Sequence, residues 1–260
     1  MRIIDQFDQG VAYHGANIAF IDDATGQETT YADAGARTHA IAAAIRQHGY
    51  GKGTKIAILA PNGTRAFVAL LGLMRAEAIW LPVNPRNSIA VNIDLLTRFD
   101  GDLLFYDSSY LAEAEQLMQA VPGLRECVCL DRGTALGTAL DAWIVDPDAQ
   151  HPIGPQQPDD IFAIFPTGGT TGAPKGIVVT HLSIMTMAAN LMTHFAYHEG
   201  ARHLVVAPMT HAAGIMACFH FARGGCNITM TTTNPAAVVE ALERYRITHL
   251  FLPPTLLYML

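Results

Sequence analysis

Residues Phe165–Gly176, FPTGGTTGAPKG, place four glycines, three threonines and one lysine between two apolar runs. An anion can approach a backbone closely only where side chains leave room, and glycine also lets neighbouring N–H groups turn toward one centre. Threonine hydroxyls add donors or a metal ligand, and the Lys175 ammonium can follow phosphate oxygens during a reaction. The stretch therefore indicates a polyphosphate-binding loop.

Hydrogen-bond energies favour a polyphosphate-binding loop over a plain hairpin connection. Hydrogen bonds to charged groups contribute about 1.5–3 kcal/mol each, so several of them outweigh the cost of ordering a short loop. Any single Gly-Thr pair is explained well enough as a turn. The whole segment is not, because a hairpin connection rarely needs this length with a lysine at its far end.

The spacing also differs from the common nucleotide-binding loop, in which a helix follows a Gly-Lys-Ser/Thr sequence. Here Pro174 precedes Lys175 and disfavours helical geometry at Ala173. The residues that follow, Gly176–Thr180, are rich in β-branched side chains. We therefore predict that the loop joins a strand to a strand, without help from a helix dipole.

Composition limits the class of protein. The chain has 260 residues, of which 50% are apolar, enough to form one large domain or two smaller ones. Its net charge is −7 and it contains no long Lys/Arg run, which argues against a nucleic-acid partner. An anionic ligand must then be held by local groups.

The compartment follows from cysteine usage and from the first residues. The four cysteines show no CxxC spacing and the start of the chain lacks the apolar core of a signal peptide, so a cytoplasmic protein is expected. The run Val205–Ala222 is apolar but contains Pro208, His211, Gly214 and His220. We expect it to be buried inside the protein, with no transmembrane segment.

Strands and helices alternate along the chain. The patterns predict strands at 55–60, 78–83, 102–106, 126–130, 161–165, 176–180, 203–207, 227–231 and 247–252, and helices at 31–48, 64–76, 110–120, 182–197 and from 235 onward. This predicts an α/β fold of layered, mainly parallel sheets with helices on both faces. A proline-rich stretch at 146–160 marks a boundary between subdomains 1–155 and 156–260, the second of which contains the loop.

Three segments resemble the adenylate-forming superfamily, which includes acyl- and aryl-CoA synthetases, peptide-synthetase adenylation domains and luciferases. Thr167–Gly176 is similar to its phosphate-loop signature, Leu81–Arg86 (LPVNPR) to its Pro-Leu-Asn-Pro turn, and Pro208–Gly214 (PMTHAAG) to its Pro-Leu-Phe-His-x-x-Gly segment. The resemblance covers essentially the whole chain. The two flanking segments fit the acyl-CoA synthetase branch better than the peptide-synthetase branch.

The resemblance implies both a chemistry and a set of residues. A fatty or aryl acid reacts with ATP to give acyl-AMP and pyrophosphate and then forms a thioester with CoA, which defines an AMP-forming acid:CoA ligase that uses Mg²⁺. Lys175 and His211 are the expected catalytic residues, and His211 lines the acyl pocket together with Ala212 and Gly214. The residues expected to bind the phosphates are Thr167, Gly168, Gly169, Thr170, Thr171, Gly172 and Lys175, and Thr167 is also the expected Mg²⁺ ligand.

The sequence departs from the family pattern in two places and covers only part of it. Gly168 stands where a hydroxyl residue is usual and Pro166 where an aromatic residue is usual, so one side-chain phosphate contact is expected to be missing. Nothing in the chain matches the family's Tyr-Gly-x-Thr-Glu segment, ribose-binding Asp or C-terminal domain with the adenylation lysine. We therefore expect an N-terminal portion, incomplete at its C-terminal end. Its activity alone and its assembly into a homodimer stay open.

Two other functions stay open at this point. One is a fatty-acyl-AMP ligase that passes the acyl group to a carrier protein, and the other is a non-catalytic nucleotide- or acyl-binding module that acts with a partner. The identity and chain length of the acid cannot be derived from the sequence. By position alone, a core histidine with a satisfied hydrogen bond is the favoured interpretation of His211, and the resemblance of Pro208–Gly214 reverses that preference.

Three other sets of residues resemble functional motifs but are better explained as structural. His194 and His198 lie four apart on a predicted helix but lack a third metal ligand. Gly49–Gly53 contains glycines at dinucleotide-loop spacing but precedes a strand, so we predict a turn. Cys127 and Cys129 share one face of a strand, which disfavours a disulfide and predicts core positions.

Overall fold

A computed structural model describes residues 2–152, 154–155, 157, 159–166, 175–195 and 197–260. The chain divides into two compact units that are interleaved in sequence. Unit one comprises Met1–Gly35, Asn62–Phe67 and Met185–Leu260, and unit two comprises Ala36–Pro61 and Val68–Ile184. The predicted subdomains 1–155 and 156–260 stay a prediction.

The helices begin where the sequence supplies side-chain caps. The Thr30 hydroxyl accepts a hydrogen bond from the Asp33 N–H at 3.1 Å, and the Asn234 carboxamide accepts one from the Ala237 N–H at 3.2 Å, which confirms both predicted caps. The helices are α1 (Ile3–His14), α2 (Tyr31–Gln47), α3 (Thr64–Arg75), α4 (Ile89–Arg98), α5 (Leu111–Ala120), α6 (Leu140–Trp143), α7 (His181–His194), α8 (Ala212–Met216), α9 (Pro235–Arg244) and α10 (Pro254–Leu257).

The strands are short and most are buried. They are β1 (Ile18–Asp22), β2 (Glu28–Thr30), β3 (Lys55–Leu59), β4 (Ile79–Pro82), β5 (Leu103–Tyr106), β6 (Glu126–Cys129), β7 (Thr138–Ala139), β8 (Ile161–Pro166), β9 (Gly176–Thr180), β10 (Arg202–Val205), β11 (Cys226–Thr229) and β12 (His249–Leu250). Single 3₁₀ turns lie at Ser108–Tyr110 and Phe221–Arg223.

Unit two is built on a seven-stranded sheet with the order β7-β6-β5-β3-β4-β8-β9. Its pairings are parallel except that of β8 with β9, which is antiparallel. Every residue of β4 and β5 is buried, as expected for strands covered on both faces. The apolar core beside this sheet includes Leu81, Leu96, Leu104 and Leu117.

Unit one is built on a five-stranded sheet with the order β12-β10-β11-β1-β2, parallel except for β1 with β2. Aromatic rings pack α1 against the 3₁₀ turn Phe221–Arg223 and the start of α2, since the Phe7 ring centroid lies 5.1 Å from that of Phe221 and 5.7 Å from that of Tyr31. The buried Tyr31 hydroxyl donates to the Gly225 carbonyl at 2.6 Å. Long-range contacts of this kind join the two ends of the chain's sequence.

Most predicted elements are confirmed, including the mainly parallel α/β architecture and the strand on each side of the loop. The predicted end of α7 at Tyr197 is wrong, because the helix ends at His194. The Thr193 hydroxyl and the His194 ring both bond to the Asn190 carbonyl, at 2.7 and 2.8 Å, and so compete with the backbone for it. His198 therefore lies beyond the helix on which it was predicted.

Several elements lack a local sequence signal strong enough to predict them: α1, α4, α8, β1 and β2. The expected turn at Gly49–Gly53 is confirmed, with φ of +82° at both end glycines. Cys127 and Cys129 are buried free thiols, as expected. The run Val205–Ala222 forms the end of a strand and a short helix, and no helix among the described residues is long and apolar enough to cross a membrane.

Two buried histidines, His203 on β10 and His220, lie close together in unit one. His203 pairs in register with Asn227 on one side and His249 on the other, and the His220 ring lies 5.7 Å from that of His203. Within the described part of the chain, neither ring nitrogen of His220 nor Nδ1 of His203 has a hydrogen-bond partner. Burial lowers the pKa of His203 to about 4, with a smaller contribution from the charge of His249.

We predict that the free energy of unfolding decreases as pH falls from about 6.5, the pKa of an unfolded histidine, to about 4, the folded-state pKa of His203. In that window the unfolded chain binds more protons than the folded one. Each such histidine then costs about 1.4 kcal/mol per pH unit. The stabilisation is fully present above the window. Urea unfolding at several pH values measures the slope.

The variant His203→Gln should flatten this slope by about one proton. The matched control is His194→Gln, because that side chain is exposed at the end of α7. An unchanged slope in His203→Gln would show that this histidine does not carry the acid sensitivity.

Candidate functional site

The β8–β9 hairpin closes the chain segment that contains the predicted phosphate loop. Pro166 pairs with Gly176 and Phe165 with Ile177 in antiparallel register. Residues directly opposite each other in such a ladder have Cα atoms about 5 Å apart. The segment between Pro166 and Gly176 therefore leaves and re-enters the sheet at one place, as the strand-to-strand prediction requires.

Aromatic packing fixes the base of this hairpin. The Trp80 ring on β4 is buried and meets Phe165 edge-to-face at 5.5 Å between centroids and Phe162 at 6.1 Å. Gly176 is constrained by close packing, because a Cβ there would lie 2.6 Å from the Phe99 ring. β9 is therefore held by its pairing with β8 and by the packing of Gly176 against the Phe99 ring.

The structure describes one of the predicted phosphate-binding residues, Lys175. Lys175 is exposed and stands immediately before the Pro166–Gly176 pair, in unit two. The other predicted residues of this group lie outside the described residues, and their roles stay predictions: Thr167, Gly168, Gly169, Thr170, Thr171 and Gly172. An exposed ammonium at the base of a glycine-rich loop suits an anionic ligand.

His211 stands at the start of α8 in unit one. Its backbone is extended, with φ −125° and ψ −162°, and its N–H donates to the Pro208 carbonyl at 3.2 Å. His211 is exposed, which does not fit the core-histidine alternative. Partial burial nevertheless lowers its pKa below the usual 6.5. The lowered pKa favours the neutral imidazole.

α8, which follows His211, packs very closely against the Met209 carbonyl of the preceding turn. A Cβ on Gly214 would lie 1.9 Å from the Met209 carbonyl oxygen, so a side chain cannot fit at this position. The Gly214 N–H donates to the His211 carbonyl at 3.1 Å. Gly214 therefore shapes the backbone that presents His211 and is itself buried.

The structure brings the predicted acyl-side residues His211, Ala212 and Gly214 together on one turn. Of these, His211 and Ala212 are exposed, whereas Gly214 is buried and acts through packing. Lys175 belongs to unit two. Among the described residues no cluster of three or more His, Cys, Asp or Glu side chains could hold a metal ion, and the predicted Mg²⁺ ligand Thr167 lies outside them.

Sequence analysis missed one residue of this site, Asn62, whose carboxamide bonds to the backbone of the turn before His211. Its sequence context, Pro61-Asn-Gly63, is that of an ordinary turn. The partners of Asn62 lie 143 to 168 residues away, so no local pattern could have revealed them.

Comparison with known proteins gives the fold class first. The inhibitor-bound N-terminal domain of FACL13 from Mycobacterium tuberculosis superimposes with a TM-score of 0.88 at 23% identity, over 99% of this chain and 64% of that one. This likeness defines the fold as that of the N-terminal domain of adenylate-forming enzymes. The profile of the family described as AMP-binding enzyme matches residues 7–260, and the chain therefore belongs to that family.

Two curated relatives illustrate the range of the family. The chain is 28% identical to a feruloyl-CoA synthase of Amycolatopsis over 236 residues, which are 89% of this chain and 45% of that protein. It is 30% identical over 227 residues to a Mycobacterium tuberculosis CoA ligase named for a methyl-dioxo-octahydroindenyl propanoyl group, covering 83% of this chain and 44% of the ligase. The chain thus spans about half the length of these relatives.

We predict that Gly214→Ala lowers the free energy of unfolding by about 1–3 kcal/mol or more, as expected when a well-packed site is overfilled. The reason is the 1.9 Å approach of the new Cβ to the Met209 carbonyl oxygen. The matched control is Gly133→Ala, where the nearest atom to a new Cβ is the Ala139 nitrogen at 3.9 Å. Chemical denaturation measures both, and equal stability of the two variants would contradict the close packing.

Proposed function

We propose that the protein activates a carboxylic acid with ATP, forming an acyl-adenylate and releasing pyrophosphate. The observation that carries the proposal is the glycine- and threonine-rich segment held between paired antiparallel strands with Lys175 at its end. Membership in the AMP-binding enzyme family supports it. The relatives are about twice as long as this chain, so the proposal concerns the full-length protein.

In the proposed reaction, an oxygen of the acid attacks the α-phosphorus of ATP. The bond from that phosphorus to the bridging oxygen breaks, and pyrophosphate leaves with the electron pair. No protein nucleophile is needed, because the barrier comes from bringing anions together and from the charge on the leaving group. Lys175 would neutralise the β- and γ-phosphates, and bound Mg²⁺ would screen the same charge.

The loop residues divide this work by chemical type. Backbone N–H groups of the glycines at 168, 169 and 172 would point at phosphate oxygens without steric hindrance, and the threonines at 170 and 171 would add hydroxyl donors. Thr167 would supply an oxygen ligand to Mg²⁺, a hard cation that prefers oxygen. These assignments extend the family resemblance to each matching position.

On the acyl side, we assign His211 to orient the acid carboxylate next to the α-phosphate. Its lowered pKa favours the neutral imidazole, which can donate a hydrogen bond without forming an ion pair that would hold back the nucleophile. Ala212, exposed beside it, leaves room for the organic part of the acid. A fatty or aryl acid is the substrate class we propose.

The second half-reaction is proposed to be thioester formation with CoA, at the expected cytoplasmic location. The relatives at 28% and 30% identity are named as a CoA synthase and a CoA ligase, which supports CoA as acceptor. Transfer to a carrier protein is the alternative, and a non-catalytic binding module is the second alternative.

Lys175→Ala is expected to reduce carboxylate-dependent exchange of labelled pyrophosphate into ATP by at least about 10²-fold in the full-length protein, as for loss of a charge-stabilising group. The matched control is Lys52→Ala, because Lys52 is an exposed lysine of the same unit that pairs with Asp160 at 2.8 Å. Full exchange in Lys175→Ala would reject the assigned role. ATP binding with no exchange for any acid would favour the non-catalytic module.

The acceptor is tested by supplying purified full-length protein with ATP, Mg²⁺ and an acid, together with either CoA or a phosphopantetheinylated carrier protein. We expect the thioester to form on CoA, detected by mass spectrometry. Thioester formation on the carrier alone would replace the ligase assignment with that of an acyl-AMP ligase, without affecting the adenylation step.

A further inference from the structure

The Asn62 side chain connects four backbone groups of unit one. Its Nδ2 lies 2.9 Å from the Ala207 carbonyl oxygen and 3.2 Å from those of Val205 and Met230, and its Oδ1 accepts from the Met209 N–H at 2.9 Å. Asn62 lies between β3 and α3 in the chain and is half-buried. The carboxamide therefore joins two strand ends to the turn that leads to His211.

The carboxamide fits this place in one orientation only. Three carbonyl oxygens surround its nitrogen and one N–H faces its oxygen, so flipping the amide would set oxygen against three oxygens. The two amide hydrogens are shared among the three carbonyls. An aspartate of the same shape would keep the acceptor and lose every donor.

The groups that Asn62 joins belong to one edge of the sheet. Val205 ends β10 and Met230 follows β11, and these neighbouring parallel strands place their carboxyl ends together. Val205, Ala207 and Met230 are all buried, so their carbonyls depend on protein donors. The Val205 carbonyl also accepts from the Met230 N–H at 3.0 Å, whereas Asn62 Nδ2 donates to the Ala207 and Met230 carbonyls as well. Asn62 therefore helps to fix where the chain turns after β10.

That turn holds His211 through Met209. The Met209 N–H is held by Asn62, and its carbonyl oxygen is pressed against Gly214, so the residue is fixed on both sides. His211 lies two residues further and closes the turn with the Pro208 carbonyl. A shift of the Met209 backbone would therefore move His211 directly.

We infer that Asn62 is a positioning residue that sets the place of His211 for the acid substrate, an inference that rests on the proposed function. Reacting groups misplaced by about 1 Å can lose about 10²-fold in rate. Removing Asn62 should thus impair use of the acid and leave use of ATP nearly unchanged. Loss of a purely structural residue would instead lower stability and impair the use of the acid and of ATP together.

The test compares Asn62→Ala, Asn62→Asp and the control Tyr31→Phe in the full-length protein. Tyr31→Phe also removes one long-range hydrogen bond of unit one, that from the Tyr31 hydroxyl to the Gly225 carbonyl, away from the His211 turn. We expect both Asn62 variants to raise KM for the acid at least about 10-fold in pyrophosphate exchange, with KM for ATP changing less than about twofold. Tyr31→Phe should leave both constants unchanged.

Hydrogen–deuterium exchange provides a readout independent of activity. In Asn62→Ala the Met209 amide should exchange with deuterium at least about 10-fold faster, because its acceptor is lost. The inference fails if the Met209 amide keeps its protection, or if KM for acid and ATP rise together as in a general loss of structure. If the wild-type protein shows no pyrophosphate exchange with any acid, the proposed function fails. Unchanged protection of the Met209 amide in the Asn62→Ala variant would remove the positioning role separately.

Discussion

The pairing of Pro166 with Gly176 is the contact on which the phosphate-loop proposal depends. Pro166 has no N–H to offer a ladder, and it stands at the last pair of β8, where this deficit costs least. Gly176 lacks a Cβ, and the Phe99 ring takes that space. Both residues therefore suit the last pair of the β8–β9 ladder. The glycine-rich segment starts and finishes at that pair.

The turn before His211 is held by different means. Its position depends on a side-chain carboxamide that reaches several backbone groups and on a glycine that admits the Met209 carbonyl. A ladder of backbone hydrogen bonds tolerates many side chains, whereas this turn relies on the identity of two residues, Asn62 and Gly214. The chemistry proposed for the acid is therefore more sensitive to single substitutions than the geometry at the base of the loop.

The sequence predicted the features that depend on neighbours along the chain. The caps at Thr30 and Asn234 and the strand after Pro174 follow from local rules, and the structure confirms them. Features set by distant partners escaped prediction. β1 pairs with β11 through Phe20 and Asn227, and periodicity within either segment cannot indicate that partner. The same holds for Asn62, because its Pro-Asn-Gly sequence is that of an ordinary turn and does not indicate its distant hydrogen-bond partners.

The packing at Gly214 also has an evolutionary consequence. Gly214 and Ala213 are both buried, so under the proposed function lineages that use bulkier or smaller acids would have little freedom to mutate either position. Ala212 is the exposed neighbour of His211, so replacements there leave the backbone intact. Under the proposed function, substitutions that change the preferred acid on this turn would fall at Ala212.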